Sequence, residues 1–194
     1  MKERIIELLR ETERDGIEAL ISYMEDNGFF ESPCSTSHHL AKSGGLAEHS
    51  LNVYDMMLAI SGLYPISIDS IIICSLLHDL GKMGQFGKPG YIPNMLKGRA
   101  TKANPNPVPY QSEKKPFETN PDLLFVDHEV RSIAIASRFI DLTEEEQQAI
   151  LWHNGLYGPF RYEIQGKETP LYMMLHFADM WASRVVERED AQDE

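Results

Sequence analysis

The sequence predicts an all-α helical bundle interrupted by one non-helical insertion, and three observations predict it. Apolar residues recur at i, i+3, i+4 and i+7 over most of the chain. Gly, Asn and Pro fall between those stretches as stops. Gly and Pro then crowd into residues 83–127, which cannot be helical throughout. At 194 residues the chain fits one domain with an elaboration.

Residues 3–26 carry Ile5, Leu8, Leu9, Ile17, Leu20, Ile21 and Met24 at helical spacing, with Asp15-Gly16 as a break between two N-terminal helices. Asn27-Gly28 is the stop, so these helices occupy residues 1–28. Phe29 to Lys42 reads as a loop. Gly44-Gly45 opens a helix over about 46–62, with Leu46, His49 and Val53 on one face. Ile68 to Leu80 is the most apolar helix and the centre of the core. Across 83–127 a loose β-hairpin is expected, with strands near 89–97 and 107–113. Helices follow at 128–140 and 143–153, the second opened by the capping-box pattern Thr143-x-x-Glu146. After a Gly- and Tyr-rich loop, residues 169–187 form the last helix. The acidic tail 187–194 is expected to fray.

The chain holds 18 basic and 30 acidic residues, a formal charge of −12. That balance argues against long nucleic acid, whose affinity comes from Lys and Arg on phosphates. The charge is uneven: residues 82–115 hold seven Lys or Arg against one acid, so +6, and the remainder totals −18. This basic insertion is either a solvated loop or a lid that brings positive charge to an anionic substrate. Cys34 and Cys74 make no disulfide framework, and no run approaches the length of a membrane span. A reduced, cytoplasmic setting without a membrane partner is expected.

The chemistry centres on Ser75-Leu76-Leu77-His78-Asp79-Leu80-Gly81-Lys82, where a buried helix delivers a His-Asp pair. Imidazole plus carboxylate suits a first-row divalent ion, and equally a hydrogen-bonded pair capping the helix. Lys82 lies one turn beyond Asp79, placed to stabilise a phosphoryl group or to complement the helix dipole. His49 sits on the buried face of its helix. Asp179 lies in the apolar run Leu175-His176-Phe177-Ala178-Asp179, where a carboxylate needs a partner or a metal. His176 is one candidate partner. His128 and His153 stand at helix ends. His39 precedes the Gly-Gly turn, Arg184 is read as a surface charge, and Tyr157, Phe160 and Tyr162 are aromatics that could stack on a base.

In order, His49, His78-Asp79, His128, His153 and Asp179 resemble the pattern of the HD superfamily of metal-dependent phosphohydrolases. The runs Gly44 to Val53, Leu76 to Lys82 and Leu175 to Asp179 carry the match. Phe29 to Thr36 and His39 are similar to stretches in stand-alone bacterial and phage members. The chain is similar too to the HD part of bacterial 3′-to-5′ exoribonucleases, whose nucleic-acid-binding barrel has no counterpart in this sequence. The resemblance implies a single HD-type domain over 1–194 and one divalent ion (Mn, Fe, Ni, Co or Zn) on His49, His78, Asp79 and Asp179. In two-metal members Asp79 bridges, and His128 and His153 match the ligands of the second ion. Members with a Gly-Tyr-Pro signature carry another His where this chain has Asn154. The expected activity is hydrolysis of a nucleotide or other small phosphorylated metabolite, because a divalent ion lowers the pKa of water to roughly 7. Asp79 and Lys82 are the expected catalytic residues, and Lys82 and His39 the expected substrate contacts. The alternative is a non-catalytic nucleotide- or metal-binding sensor.

Overall fold

The computed structural model describes residues 1–100, 106–155 and 162–188. Among them are seven α-helices and three small antiparallel strand pairs. The helices are α1 (Lys2–Glu11), α2 (Ile17–Asp26), α3 (Gly45–Ile60), α4 (Ile68–Leu77), α5 (His128–Ala136), α6 (Glu144–Trp152) and α7 (Pro170–Trp181).

α4 is the central element because its sequence leaves it no polar face. Ile71 through Leu77 are all buried, and the helix packs against α1, α3, α6 and α7. Around it the other helices bury one stripe each, such as Ile5, Leu8 and Leu9 on α1. α6 begins with the expected reciprocal cap: Glu146 N–H donates to the Thr143 hydroxyl, and Thr143 N–H donates to the Glu146 carboxylate. Glu146 is buried, and Arg14 and the Ser70 hydroxyl donate to it, which fastens α6 to the α1–α2 turn and to α4.

Several boundaries differ from the sequence reading. α4 stops at Leu77, and a tight helical turn occupies Leu80–Met83 after it. The cause is a close approach. A Cβ on Gly81 would lie 2.3 Å from the His128 carbonyl, while Gly81 N–H donates to Ser132 Oγ at 2.8 Å. α5 therefore docks directly on this turn, with His128 beside Asp79. α5 and α7 are also shorter than expected, ending at Ala136 and Trp181.

The insertion is a bent hairpin with its second arm later than predicted. β1 (Gly84–Gln85) pairs with β2 (Lys88–Pro89), β3 (Tyr91–Pro93) with β6 (Phe117–Thr119), and β4 (Met95–Leu96) with β5 (Tyr110–Gln111). Its base is tied to the helices by Arg131, which donates to Gln85 Oε1 and to the Leu124 carbonyl. Residues 101–105 of the insertion, 189–194 of the acidic tail, and Tyr157 and Phe160 lie outside the described residues. Among the described residues no helix is long and apolar enough to cross a membrane.

Candidate metal centre

Four helix-borne imidazoles and two carboxylates converge beside the C-terminal end of α4. His49 comes from α3, His78 and Asp79 from the end of α4, His128 from the start of α5, His153 from the end of α6 and Asp179 from α7. His49, His78 and Asp79 form one group whose ligand atoms lie within 4.8 Å of each other; Asp79, His128 and His153 form another. Asp79 belongs to both. Asp179 Oδ1 lies 3.2 Å from His49 Nε2, so it joins the first group.

Hydrogen bonds on the far side of the rings decide which nitrogens face inward. His78 Nδ1 lies 2.9 Å from the Ser75 carbonyl, and His153 Nδ1 lies 2.8 Å from the Ile150 carbonyl. A carbonyl only accepts, so each Nδ1 carries hydrogen. His49 Nδ1 likewise donates to the Glu187 carboxylate at 2.9 Å. Nε2 of each ring is then the atom offered to the centre.

Those inward atoms face one another. His49 Nε2 and His78 Nε2 are 3.3 Å apart, close to the separation of about 3.3 Å set by two nitrogens at about 2.0–2.1 Å on a tetrahedral ion. Asp79 Oδ1 lies 3.2 Å from His128 Nε2 and 3.5 Å from His153 Nε2, yet it is buried and makes no hydrogen bond. Acceptors crowded on acceptors repel unless positive charge lies between them, supplied by a proton or a metal ion. The donor set therefore fits a divalent ion in composition and spacing, and such an ion could occupy the place beside the orphan oxygen. Imidazole and carboxylate accommodate several first-row ions.

The charge states are coupled. Burial, reinforced by His153 and His49 and opposed by Asp79, pushes the His78 pKa down to about 3, which keeps this ring neutral. Burial opposes charge on His49 too, but Cys34, Asp179 and Glu187 outweigh it and raise its pKa well above the ordinary value. At Asp79 burial opposes ionisation, but Lys82, His78, His128 and His153 together outweigh it, so the carboxylate is held well below its usual range. Lys82 Nζ donates to Asp79 Oδ2 at 2.6 Å; this lysine is neither a free surface charge nor placed for the helix dipole alone.

An open cavity of about 850 Å³ lies over this cluster. His39, Lys82, His153 and Asp179 line it, so the expected substrate contacts His39 and Lys82 both face it. Its arginines are Arg184 and Arg188. Apart from Lys82, no Lys or Arg of 82–115 lines the cavity among the described residues, so the hairpin does not deliver its positive charge there. His176 is not the partner of Asp179: its Nδ1 donates to the His153 carbonyl at 2.7 Å.

Arg184 is exposed, as a surface charge is, and also lines the cavity. Glu187 escapes the sequence reading, which places it at the start of the tail, because α7 continues into a π turn at Ala182–Val186. Glu187 N–H donates to the Ala182 carbonyl five residues back. One π turn absorbs one residue. Glu187 then follows Asp179 as i+7 would, about 20° from the same face, where an uninterrupted helix would leave it about 80° away. Nothing in the residue types between Trp181 and Glu187 announces such a turn. Cys34, close to His39 and His49, was also missed, because its neighbours are distant in sequence or on an irregular loop.

No protein-family model matches this chain, and no solved structure matches it. The geometry alone describes a mostly helical protein with a buried His/Asp cluster that could hold a metal ion.

Proposed function

We propose that this chain is a metal-dependent phosphohydrolase of the HD superfamily, built on that superfamily's helical bundle, and that it hydrolyses a phosphate ester of a nucleotide or other small phosphorylated metabolite. The observation that carries the reading is Asp79: one buried carboxylate shared by two groups of inward-facing imidazoles, with an unpaired oxygen between them. His49, His78, Asp79 and Asp179 would hold a divalent ion, which would supply Lewis acidity that makes water a nucleophile near neutral pH. His128 and His153 offer the ligands for a second ion.

The chain's own residues supply the rest. Lys82, held by Asp79 at the cavity wall, contributes a compact positive charge for the non-bridging oxygens of a phosphoryl group. Arg184 and Arg188 line the same cavity and favour an anionic ligand over a neutral one, and His39, whose pKa burial lowers to about 4, offers it a neutral ring. The volume of about 850 Å³ accommodates a nucleotide-sized molecule. The overall charge of −12 disfavours long polyanions, so a small substrate is preferred.

The test is a screen of nucleoside mono-, di- and triphosphates, dinucleotides and cyclic nucleotides with added Mn, Fe, Co, Ni or Zn. Release of product by the wild type, and none by His78→Ala or Asp79→Ala, is the expected result. Turnover in either variant at the wild-type rate in metal-defined buffer sinks the proposal. Tight nucleotide binding without turnover under every metal makes the protein the sensor instead.

A further inference from the structure

On the far side of His49 from Asp79's second group lies another set of donors, of which the proposed hydrolysis uses His49 and His39 but not Cys34. Cys34 is fully buried, with its sulfur 3.5 Å from His39 Nε2. Cys34, His39 and His49 each bring one ligand-type atom within 4.8 Å of the other two. The rings of His39 and His49 are 5.3 Å apart between centroids, inclined by 45°. Glu187 Oε2 lies 3.8 Å from His39 Nε2.

The Cys34–His39 spacing is that of two ligands on one ion. Metal–sulfur and metal–nitrogen bonds of about 2.3 and 2.0–2.1 Å, opened to the tetrahedral angle, put sulfur and nitrogen about 3.5 Å apart. The connection between α2 and α3 is folded to hold that spacing. Cys34 N–H donates to the Leu40 carbonyl at 3.2 Å, and Leu40 itself adopts a left-handed backbone with φ 50°. A Cβ at Gly45 would fall 2.0 Å from that carbonyl, so only glycine lets the loop close against α3. Burial pushes the Cys34 thiol up, opposed by the charges of His49 and of Lys82, whose Nζ lies 3.9 Å from the sulfur, so thiolate forms here only when a cation binds.

We propose that Cys34, His39 and His49 form a separate cation position for thiolate-seeking ions such as Zn²⁺, Co²⁺ or Cd²⁺, sharing His49 with the His/Asp group. On binding, the S–H bond breaks, its proton passes to solvent and a sulfur–metal bond forms, while His49 either gives up the Nδ1 hydrogen it donates to Glu187 or withdraws Nε2 from the His/Asp group. Thiolate makes this position softer than the neighbouring imidazole–carboxylate set, so it prefers Zn²⁺ or Cd²⁺ over Mn²⁺. Because both positions draw on one imidazole, an excess of a soft ion competes with the His/Asp group for His49.

The test is titration of metal-free full-length protein with Co²⁺, followed in the near ultraviolet, where thiolate-to-cobalt charge transfer absorbs. The wild type and Cys74→Ala are expected to show the band. Cys34→Ser is expected to lose it while keeping the visible ligand-field bands of the His/Asp group. His39→Gln, at a partly exposed position, is expected to weaken the Co²⁺ affinity read from this band at least tenfold; it carries the test should Cys34→Ser fail to fold. No charge-transfer band in folded wild type, a band that persists in Cys34→Ser, or an unchanged affinity in His39→Gln overturns the inference. Failure here leaves phosphate hydrolysis intact, and failure to hydrolyse any phosphate ester leaves the sulfur band intact.

Discussion

His49 Nδ1 donates to Glu187 Oε1 at 2.9 Å, joining two residues that are 138 positions apart in the chain. Asn52 donates to the same carboxylate oxygen at 3.0 Å, so Glu187 is itself held in place. The bond fixes the ring's orientation and aims Nε2 at His78 and Asp179. Carboxylates behind ligating histidines tune metal sites in this way.

Removing that carboxylate loosens the imidazole without touching an inward-facing atom. Glu187→Ala is expected to weaken metal affinity about 10–100-fold, and Glu187→Gln, whose carbonyl still accepts from Nδ1, to retain most of it. Competition with a chromophoric chelator measures both. Equal affinity in wild type and Glu187→Ala contradicts the assignment.

Lys82 and Asp79 separate charge stabilisation from metal retention. Lys82→Met is expected to keep the bound metal and lose about 10²–10³ in kcat on the phosphate ester found by the screen. Metal analysis beside steady-state kinetics reads the two effects independently. A variant that loses its metal together with its activity would make Lys82 a structural partner of Asp79 only.

Metal removal should lower stability, because acceptors crowded around Asp79 then depend on protons for their positive charge. At a free metal concentration 100 times the Kd, binding adds about 2.7 kcal/mol. For a chain of this size that raises Tm by roughly 5–11 °C. Thermal unfolding with added metal and with EDTA checks this, and coincident curves count against a metal centre.

Acid sensitivity is expected from a second buried carboxylate, Glu146. Burial opposes its charge, but the bond from Arg14, the cap bond from Thr143 and the bond from Ser70 outweigh it and hold its pKa below the ordinary 4.5. A carboxyl depressed on folding stabilises the protein fully above its unfolded pKa. That stabilisation is lost as pH falls from about 4.5 through the lower folded value. Urea unfolding of wild type should weaken over that window. Glu146→Gln should be less stable than wild type at pH 7 and show a flatter dependence below pH 4.5.

Much of this molecule is determined locally. The two N-terminal helices, the break at Asp15-Gly16, the Thr143–Glu146 cap and the all-apolar α4 follow from spacing and capping rules, which act over a few residues. Asp179 could be singled out because a carboxylate in an apolar helical run needs a partner, and the His78-Asp79 pair because a buried helix delivers it; His49 joined them only through the family resemblance. Other features were decided only by packing. α4 ends at Leu77 because α5 presses on Gly81. His176 turns to the His153 carbonyl, not to Asp179. The π turn brings Glu187 under His49, and the closed loop at Leu40 lays Cys34 against His39. Local pattern sets which face of a helix is buried. Which distant atoms meet on that face depends on backbone register and close approach, and those exist only once the helices have docked.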